Sequence, residues 1–165
     1  MFGVVNIENV NRKAPYSVVQ IEGFPHLYYF HTDYGVDYEI SIKASDLFIP
    51  SGAYVLDIRN IYNQPSPGDD KLRLTLLAII EEFFRCNNDV MLYVTETRDK
   101  KQAVRNRLFV RWFNMYELHY QYVIRTAQGM MDGQMNFMAI IVRKDNPKLR
   151  MAIDEFEETV RFLFE

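Results

Sequence analysis

The feature that most constrains the fold is a strict alternation of apolar and polar side chains between residues 37 and 43. Tyr38, Ile40 and Ile42 alternate with charged or hydroxyl residues, as in a strand with one face in the core and the other in water. The stretch Thr32-Asp33-Tyr34-Gly35 comes just before this strand, and its Asp and Gly are typical of a turn. Residues 27–43 are therefore predicted to form a β-hairpin.

The rest of the chain predicts further strands and three helices. Strands are predicted over residues 16–21, 53–62, 90–94, 118–124 and 134–142, and helices over 70–85, 99–116 and 147–163. Residues 90–94 are apolar on both faces, which predicts a central strand, and Gly129 and Gly133 are predicted to bracket the last turn. The order β-meander, α, β, α, β-hairpin, α indicates an α+β fold, with a largely antiparallel sheet of five to seven strands and three helices.

Composition indicates a folded chain with a substantial core. Of its 165 residues, 48% are hydrophobic and 15% aromatic, which is far from the composition of a disordered segment. A chain of this length is close to the usual size of one domain. Residues 1–165 are predicted to form a single α+β domain.

Cysteine usage and hydropathy predict a cytoplasmic protein. The one cysteine, Cys86, can form neither an internal disulfide nor a thiolate metal site, and it is expected to be a small buried core residue. The first eight residues show no basic start followed by a long apolar run, so no signal peptide is expected. No apolar stretch approaches the roughly 20 residues that a membrane helix needs.

Two segments resemble a known family. Residues 28–40 read Tyr-Tyr-Phe-His-Thr-Asp-Tyr-Gly-Val-Asp-Tyr-Glu-Ile, and a second pattern combines Asp99, Gln102, Arg105, Leu108-Phe109, Arg111 and Trp112-Phe113. Together they resemble a small family of uncharacterised Bacteroidetes proteins, a domain of unknown function, over about residues 16 to 126. This resemblance implies a lineage and a fold, and it implies no mechanism, substrate or cofactor.

Residue patterns known for catalysis or cofactor binding do not occur in the sequence. His26, His31 and His119 lie far apart and not at ligand spacing, so no metal site is predicted. The seven glycines form no phosphate-binding or dinucleotide-binding motif, and no catalytic residue or cofactor is predicted. Adjacent carboxylates such as Asp69-Asp70 and Asp154-Glu155 are interpreted as helix-start charge and a solvated helix face.

One basic segment stands out in this acidic chain. Residues 98–111 carry six basic side chains and one acidic one, a net +5 within a chain of net −3. On a helix, Arg105 falls inside an apolar arc and Lys101 points nearly the same way, so their charges should meet an anion. That anion is either a carboxylate of this chain or a bound phosphate or carboxylate held by both side chains. Lys100, Arg107 and Arg111 fall together on the other side as a possible basic surface.

Three classes of function are compatible with these patterns. A non-catalytic binding or regulatory protein is the main expectation, and Tyr29, His31 and Tyr34 are candidates for an exposed partner surface. A nucleic-acid, nucleotide or anion binder acting through residues 98–111 is the alternative, and an enzyme of unrecognised type is the third. The expected partner is an unidentified protein or a small anion, nucleic acid is supported only by the basic segment, and no membrane partner is expected.

Overall fold

A computed structural model describes residues 5–65, 67–96, 111 and 121–164. Within these residues it contains three helices: α1 (Ile7–Lys13), α2 (Asp70–Cys86) and α3 (Leu149–Leu163). The seven strands are β1 (Val19–Gln20), β2 (Leu27–His31), β3 (Asp37–Ser45), β4 (Ala53–Asn60), β5 (Met91–Glu96), β6 (Tyr122–Met131) and β7 (Gln134–Arg143). The predicted α+β class is confirmed.

The strands form one mixed sheet in the order β1-β2-β3-β4-β5-β7-β6. β4 and β5 run parallel, whereas β1–β2, β2–β3, β5–β7 and β6–β7 pair antiparallel. The parallel pair is possible because α2 lies between β4 and β5 in the chain and forms the crossover. β5 is an interior strand with Leu92 almost fully buried, which confirms the prediction of a central strand over residues 90–94.

The predicted hairpin is formed by β2 and β3. Their register pairs Tyr28 with Ile40 and Phe30 with Tyr38, and all four side chains are buried. Gly35 has a φ of +75° in the connecting turn, a conformation that favours glycine. The alternation thus places one face of this hairpin in the core, as the sequence predicted.

Helix α2 begins where the acidic pair was expected to cap it. The Asp69 side chain accepts a hydrogen bond of 2.9 Å from the Lys71 backbone N–H, and Asn87 ends the helix. Asp70 lies in the first turn, where a carboxylate interacts favourably with the helix dipole. The interpretation of Asp69-Asp70 as helix-start charge is confirmed.

The N-terminal region differs from the sequence prediction. Helix α1 was not predicted, because its seven residues include only one buried side chain, Val10, and so show no apolar stripe. The strand predicted over 16–21 is reduced to Val19–Gln20. The backbone N–H of Tyr16 instead donates to the Thr75 hydroxyl on α2, which takes this residue out of any strand ladder.

The last hairpin turns later than predicted. Gly129 lies inside β6 and pairs with Asn136, and the turn is formed by Asp132 and Gly133, both with positive φ. A Cβ at position 129 would lie only 2.6 Å from Cβ and Cγ of Phe164, which explains a glycine inside this strand. Apart from Arg111, the predicted helix over 99–116 lies outside the described residues, as do the first residues of the strand predicted over 118–124.

The chain divides into two compact units, each built from two separate segments. Unit 1 comprises Met1–Lys43 and Asp57–Asn88, and unit 2 comprises Ala44–Leu56 and Asp89–Glu165. In unit 1 the ring of Phe30 stacks between those of Tyr16 and Tyr38, at centroid distances of 6.1 and 5.5 Å. In unit 2 the core combines apolar residues of β4, β5, β7 and α3 with two residues that precede β4 and β5: Ile49, Ala53, Val90, Leu92, Met138, Ile140, Val142, Ala152 and Phe156. The single-domain prediction stays a prediction.

Candidate functional site

The polar side chains of the unit 1 strands gather on one face of the sheet, which we call the open face. It is formed by Tyr29 and His31 on β2, Asp37 and Glu39 on β3, and Arg59 on β4. The register places Tyr29 opposite Glu39 and His31 opposite Asp37. Because side chains alternate along a strand, these residues point away from the buried Tyr28, Phe30 and Tyr38.

Asp37 organises the centre of the open face. Its Oδ1 accepts a hydrogen bond from the Tyr29 hydroxyl and contacts Nδ1 of His31 at 2.7 Å. The hydrogen bond from Tyr29, and to a smaller extent that from His31, holds the pKa of Asp37 below its usual value. The hydrogen bond between Tyr29 and Asp37 also raises the pKa of the Tyr29 hydroxyl. Asp37 is therefore an ionised acceptor that fixes two neighbouring side chains.

The fixed histidine remains accessible. The His31 side chain is 56% exposed, whereas that of Asp37 is 17% exposed. Since Nδ1 is engaged by the carboxylate, Nε2 is the ring nitrogen that a ligand could contact. A carboxylate-oriented imidazole is a defined hydrogen-bonding group, which can accept or donate depending on its protonation.

A second ion pair extends the open face to β4. Arg59 donates a 3.1 Å hydrogen bond from Nη2 to Glu39 Oε1. Asp57 lies two residues before Arg59 on the same side of β4, and burial among its neighbours raises the pKa of its carboxyl group. Acids, a guanidinium and an imidazole thus share one surface across three strands.

Exposed tyrosines also lie in unit 1. Tyr62 follows β4 and is 68% exposed. Tyr34 lies in the hairpin turn and is 58% exposed. Tyrosine combines apolar area with a hydroxyl, and for this reason it is common at protein interfaces.

A separate polar cluster joins the hairpin turn to the start of α2. The Tyr16 hydroxyl donates to Asp69 at 2.6 Å and accepts from the Asp33 backbone N–H at 3.3 Å, while Lys71 donates to Asp33 at 2.7 Å. Burial and the bond to Asp69 raise the pKa of Tyr16 to about 12. These contacts link structural elements within unit 1, and we interpret them as structural.

The prediction that Cys86 is a buried core residue is wrong, because Cys86 is exposed. It is the last residue of α2 and lies just beyond the buried Phe83 and Phe84. Its Sγ donates to Oε1 of Glu82 at 3.3 Å, and partial burial of the thiol together with this bond raises the pKa of Cys86. The raised pKa disfavours the reactive thiolate.

Unit 2 contains a shallow cavity of about 400 Å³. It is lined by residues 44–46, 51–54 and Asp89. Glu155 of α3 fixes one wall, since a single carboxylate oxygen accepts from both the backbone N–H and the hydroxyl of Ser51, at 3.1 and 2.6 Å. This carboxylate is partly buried and hydrogen-bonded, so the interpretation of Asp154-Glu155 as a solvated pair is wrong for Glu155 and holds for the exposed Asp154.

Both predicted anion-binding residues, Lys101 and Arg105, lie outside the described residues. The same is true of Lys100 and Arg107, two of the three residues of the possible basic surface. Arg111 is described as one exposed helical residue. The anion-binding site therefore stays a prediction.

The predicted histidines differ in their surroundings. The His26 ring packs edge-on near Phe24, at a centroid distance of 6.4 Å, whereas His31 contacts Asp37 and His119 lies outside the described residues. Within the described part of the chain, no three histidine, cysteine, aspartate or glutamate side chains are grouped as metal ligands. Sequence reasoning identified Tyr29 and His31 but missed Asp37, which the hairpin register would have placed opposite His31.

The described fold is that of an α+β protein with a preorganised polar sheet face. A family model described as a family of unknown function (DUF6169) matches residues 68–158, more than half of the chain. The protein belongs to this family, which confirms the resemblance to an uncharacterised family. The match includes α2, β5, β6 and β7, whereas the open face lies outside it. No curated protein and no solved structure matches the sequence.

Proposed function

We propose that the protein is a non-catalytic binding protein and that the open face of unit 1 is its binding surface. The observation that carries this proposal is the shared use of one Asp37 oxygen by Tyr29 and His31, which holds an exposed imidazole in a fixed orientation. Groups that are already ordered lose little conformational entropy when a partner binds.

The exposure of these groups favours binding over catalysis. An active site concentrates its polar groups in a cavity that excludes water. His31 and Arg59 are each 56% exposed and extend from a sheet face. Such a surface suits a partner that covers it, with Tyr62 contributing apolar contact area beside the charged groups.

Capture of partners with matched variants tests the proposal. The open-face variant His31→Ala/Arg59→Ala removes two exposed side chains, and the control Lys13→Ala/Glu81→Ala removes an exposed ion pair elsewhere in unit 1. Both variants should melt close to the wild type, because exposed ion pairs contribute about 0–1 kcal/mol. Cross-linked partners from cell extract should be retained by the wild type and the control, and lost by the open-face variant.

Equal capture by all three proteins would contradict the proposal. A loss of partners by the control as well would place the binding surface elsewhere in unit 1. Each variant's melting curve separates loss of binding from loss of folding. Direct titration of an isolated partner then measures the change in affinity, expected to be about tenfold or more for a hot-spot side chain.

Anion or nucleic-acid binding through residues 98–111 is the second proposal, and it is supported by their net charge of +5. Lys101 and Arg105 would hold the anion, with Lys100, Arg107 and Arg111 as an outer basic surface. Salt-sensitive retention on heparin that is reduced by Arg105→Ala would support it. Unchanged retention would contradict it.

Cellular location and lineage belong to the same proposal. No helix in the described part of the chain is long and apolar enough to span a membrane. The single cysteine supports a cytoplasmic location, and the residue patterns at 28–40 and 99–113 support a Bacteroidetes origin of the family.

A further inference from the structure

Strand β6 ends the sheet order and forms a long edge among the described residues. It pairs with β7 over ten consecutive residues, from Tyr122 opposite Arg143 to Met131 opposite Gln134, without interruption. Among the described residues, β7 is its only strand neighbour. Every second residue of β6 therefore directs its backbone N–H and C=O away from β7.

Strand β6 itself lacks the sequence features that usually protect an edge strand from further pairing. Edge strands are commonly very short, bulged, or marked by proline and several charges. β6 contains one charged residue, Arg125, no proline and no bulge. The strand at the other end of the order, β1, has only two residues and is thus protected by its shortness.

The edge is also held in place by its own unit. Ala127 packs against the core of unit 2, and Gly129 lies in close contact with Phe164 at the end of α3. Phe162, in the same last turn of α3, is 88% exposed. An ordered edge with exposed apolar area nearby needs little rearrangement to accept another strand.

We propose that β6 is the interface of a symmetric dimer, in which the β6 strands of two copies pair antiparallel. Such pairing is self-complementary and closed, so it covers the edge in both copies and leaves none for a third. In one register the twofold axis of the dimer passes at Thr126, which sets Tyr122 opposite Met130 and Arg125 opposite Ala127 of the other copy. In the other register the axis passes at Ala127, which sets Arg125 opposite Gly129 of the other copy. In both registers the one charged residue of the strand faces a small uncharged residue.

Sedimentation velocity over a range of concentrations tests this dimer. Thr126 and Gln128 are exposed, and the variant Thr126→Lys/Gln128→Lys sets two lysines directly opposite each other in either register. Like charges placed opposite each other across a strand pair are destabilising, so the dimer should weaken by roughly tenfold or more. The control Ser17→Lys/Met151→Lys adds the same charge at two exposed neutral positions outside β6.

The proposal requires a concentration-dependent dimer for the wild type and the control, and its weakening in the β6 variant. A wild type that stays monomeric, that forms larger open assemblies, or that dimerises as strongly after the lysine substitutions would overturn it. Hydrogen exchange of the wild type at low and high concentration gives a second readout that does not depend on a variant. Dimerisation should slow exchange at alternate amides of β6, and unchanged β6 amides in a dimeric sample would also overturn the proposal.

Discussion

Replacing Gly129 by alanine tests the packing between β6 and the end of α3. A Cβ at position 129 would lie 2.6 Å from Cβ and Cγ of Phe164 and 2.8 Å from its Cδ2. Ordinary carbon contacts are about 3.5–4.0 Å, so the two groups must separate by roughly 1 Å. Rotating the Phe164 ring cannot relieve the contact, because its Cβ is itself too close and its backbone N–H is bonded to Val160 at 2.9 Å.

The magnitude follows from two opposing effects. Overpacking of this kind destabilises a protein by about 1–3 kcal/mol. The lower entropy of the unfolded chain with alanine offsets about 0.4–1 kcal/mol of that. Gly129→Ala should therefore lower the free energy of unfolding by about 1–2 kcal/mol, equivalent to about 2–8 °C in Tm for a chain of this size.

Urea denaturation of a small set of variants measures this effect. Gly68→Ala is the matched control, since a Cβ there meets nothing within 4 Å and no positive φ is involved. It should be neutral or slightly stabilising. In a Phe164→Gly background the contact is gone, so Gly129→Ala should no longer destabilise. Destabilisation by Gly129→Ala that persists undiminished in that background would refute the reasoning.

Three further predictions concern single side chains. The pKa of Asp37 is lowered in the folded protein, so its ionised form stabilises the fold at pH values above the ordinary pKa of 3.8. This contribution is lost as the pH falls through the lower pKa of the folded state. An NMR titration should give Asp37 a pKa below 3.8, and an ordinary pKa would contradict the geometry. Glu155→Ala removes the acceptor of both Ser51 bonds and should lower the free energy of unfolding by about 1–3 kcal/mol, whereas the exposed neighbour Asp154→Ala should change it little. Cys86, although exposed, should react with a thiol reagent more slowly than a free thiol at neutral pH, because its pKa is raised; rapid selective labelling would indicate an activated thiolate.

The hairpin and the central strand could be predicted because their residues carry the pattern themselves. Tyr38, Ile40 and Ile42 are buried because a period of two fixes the face on which they lie. Residues 90–94 are apolar on both faces, as expected of a strand that is covered on both sides, and Leu92 is buried accordingly. These properties depend on the local sequence, so they can be predicted without knowledge of contacts between distant residues.

Other elements depend on contacts that no local pattern reveals. Helix α1 has one buried residue, and its Asn9 side chain bonds to Glu82, 73 positions along the chain. Gly129 resembles a turn residue, but it is needed because Phe164 approaches the backbone. A close approach between residues so far apart can be found only from the three-dimensional structure.

The candidate site lies between these two cases. His31 and Asp37 are only six positions apart and were both placed on the predicted hairpin, yet their contact depends on the register that the turn imposes. The sequence therefore supplied the groups but not their pairing. The prediction for Arg105 concerns residues outside the described ranges, and it stays a prediction.

The interleaving of the two units has a consequence for synthesis on the ribosome. All of unit 1 has been made once Asn88 has left the ribosome, whereas residues 44–56 of unit 2 have by then been made without most of their partners. The core around Ile49 and Ala53 also includes Ile140 and Phe156, which are synthesised much later. During this interval the nascent chain presents apolar side chains that have no core, which is when a strand segment is most exposed to mispairing and to capture by chaperones.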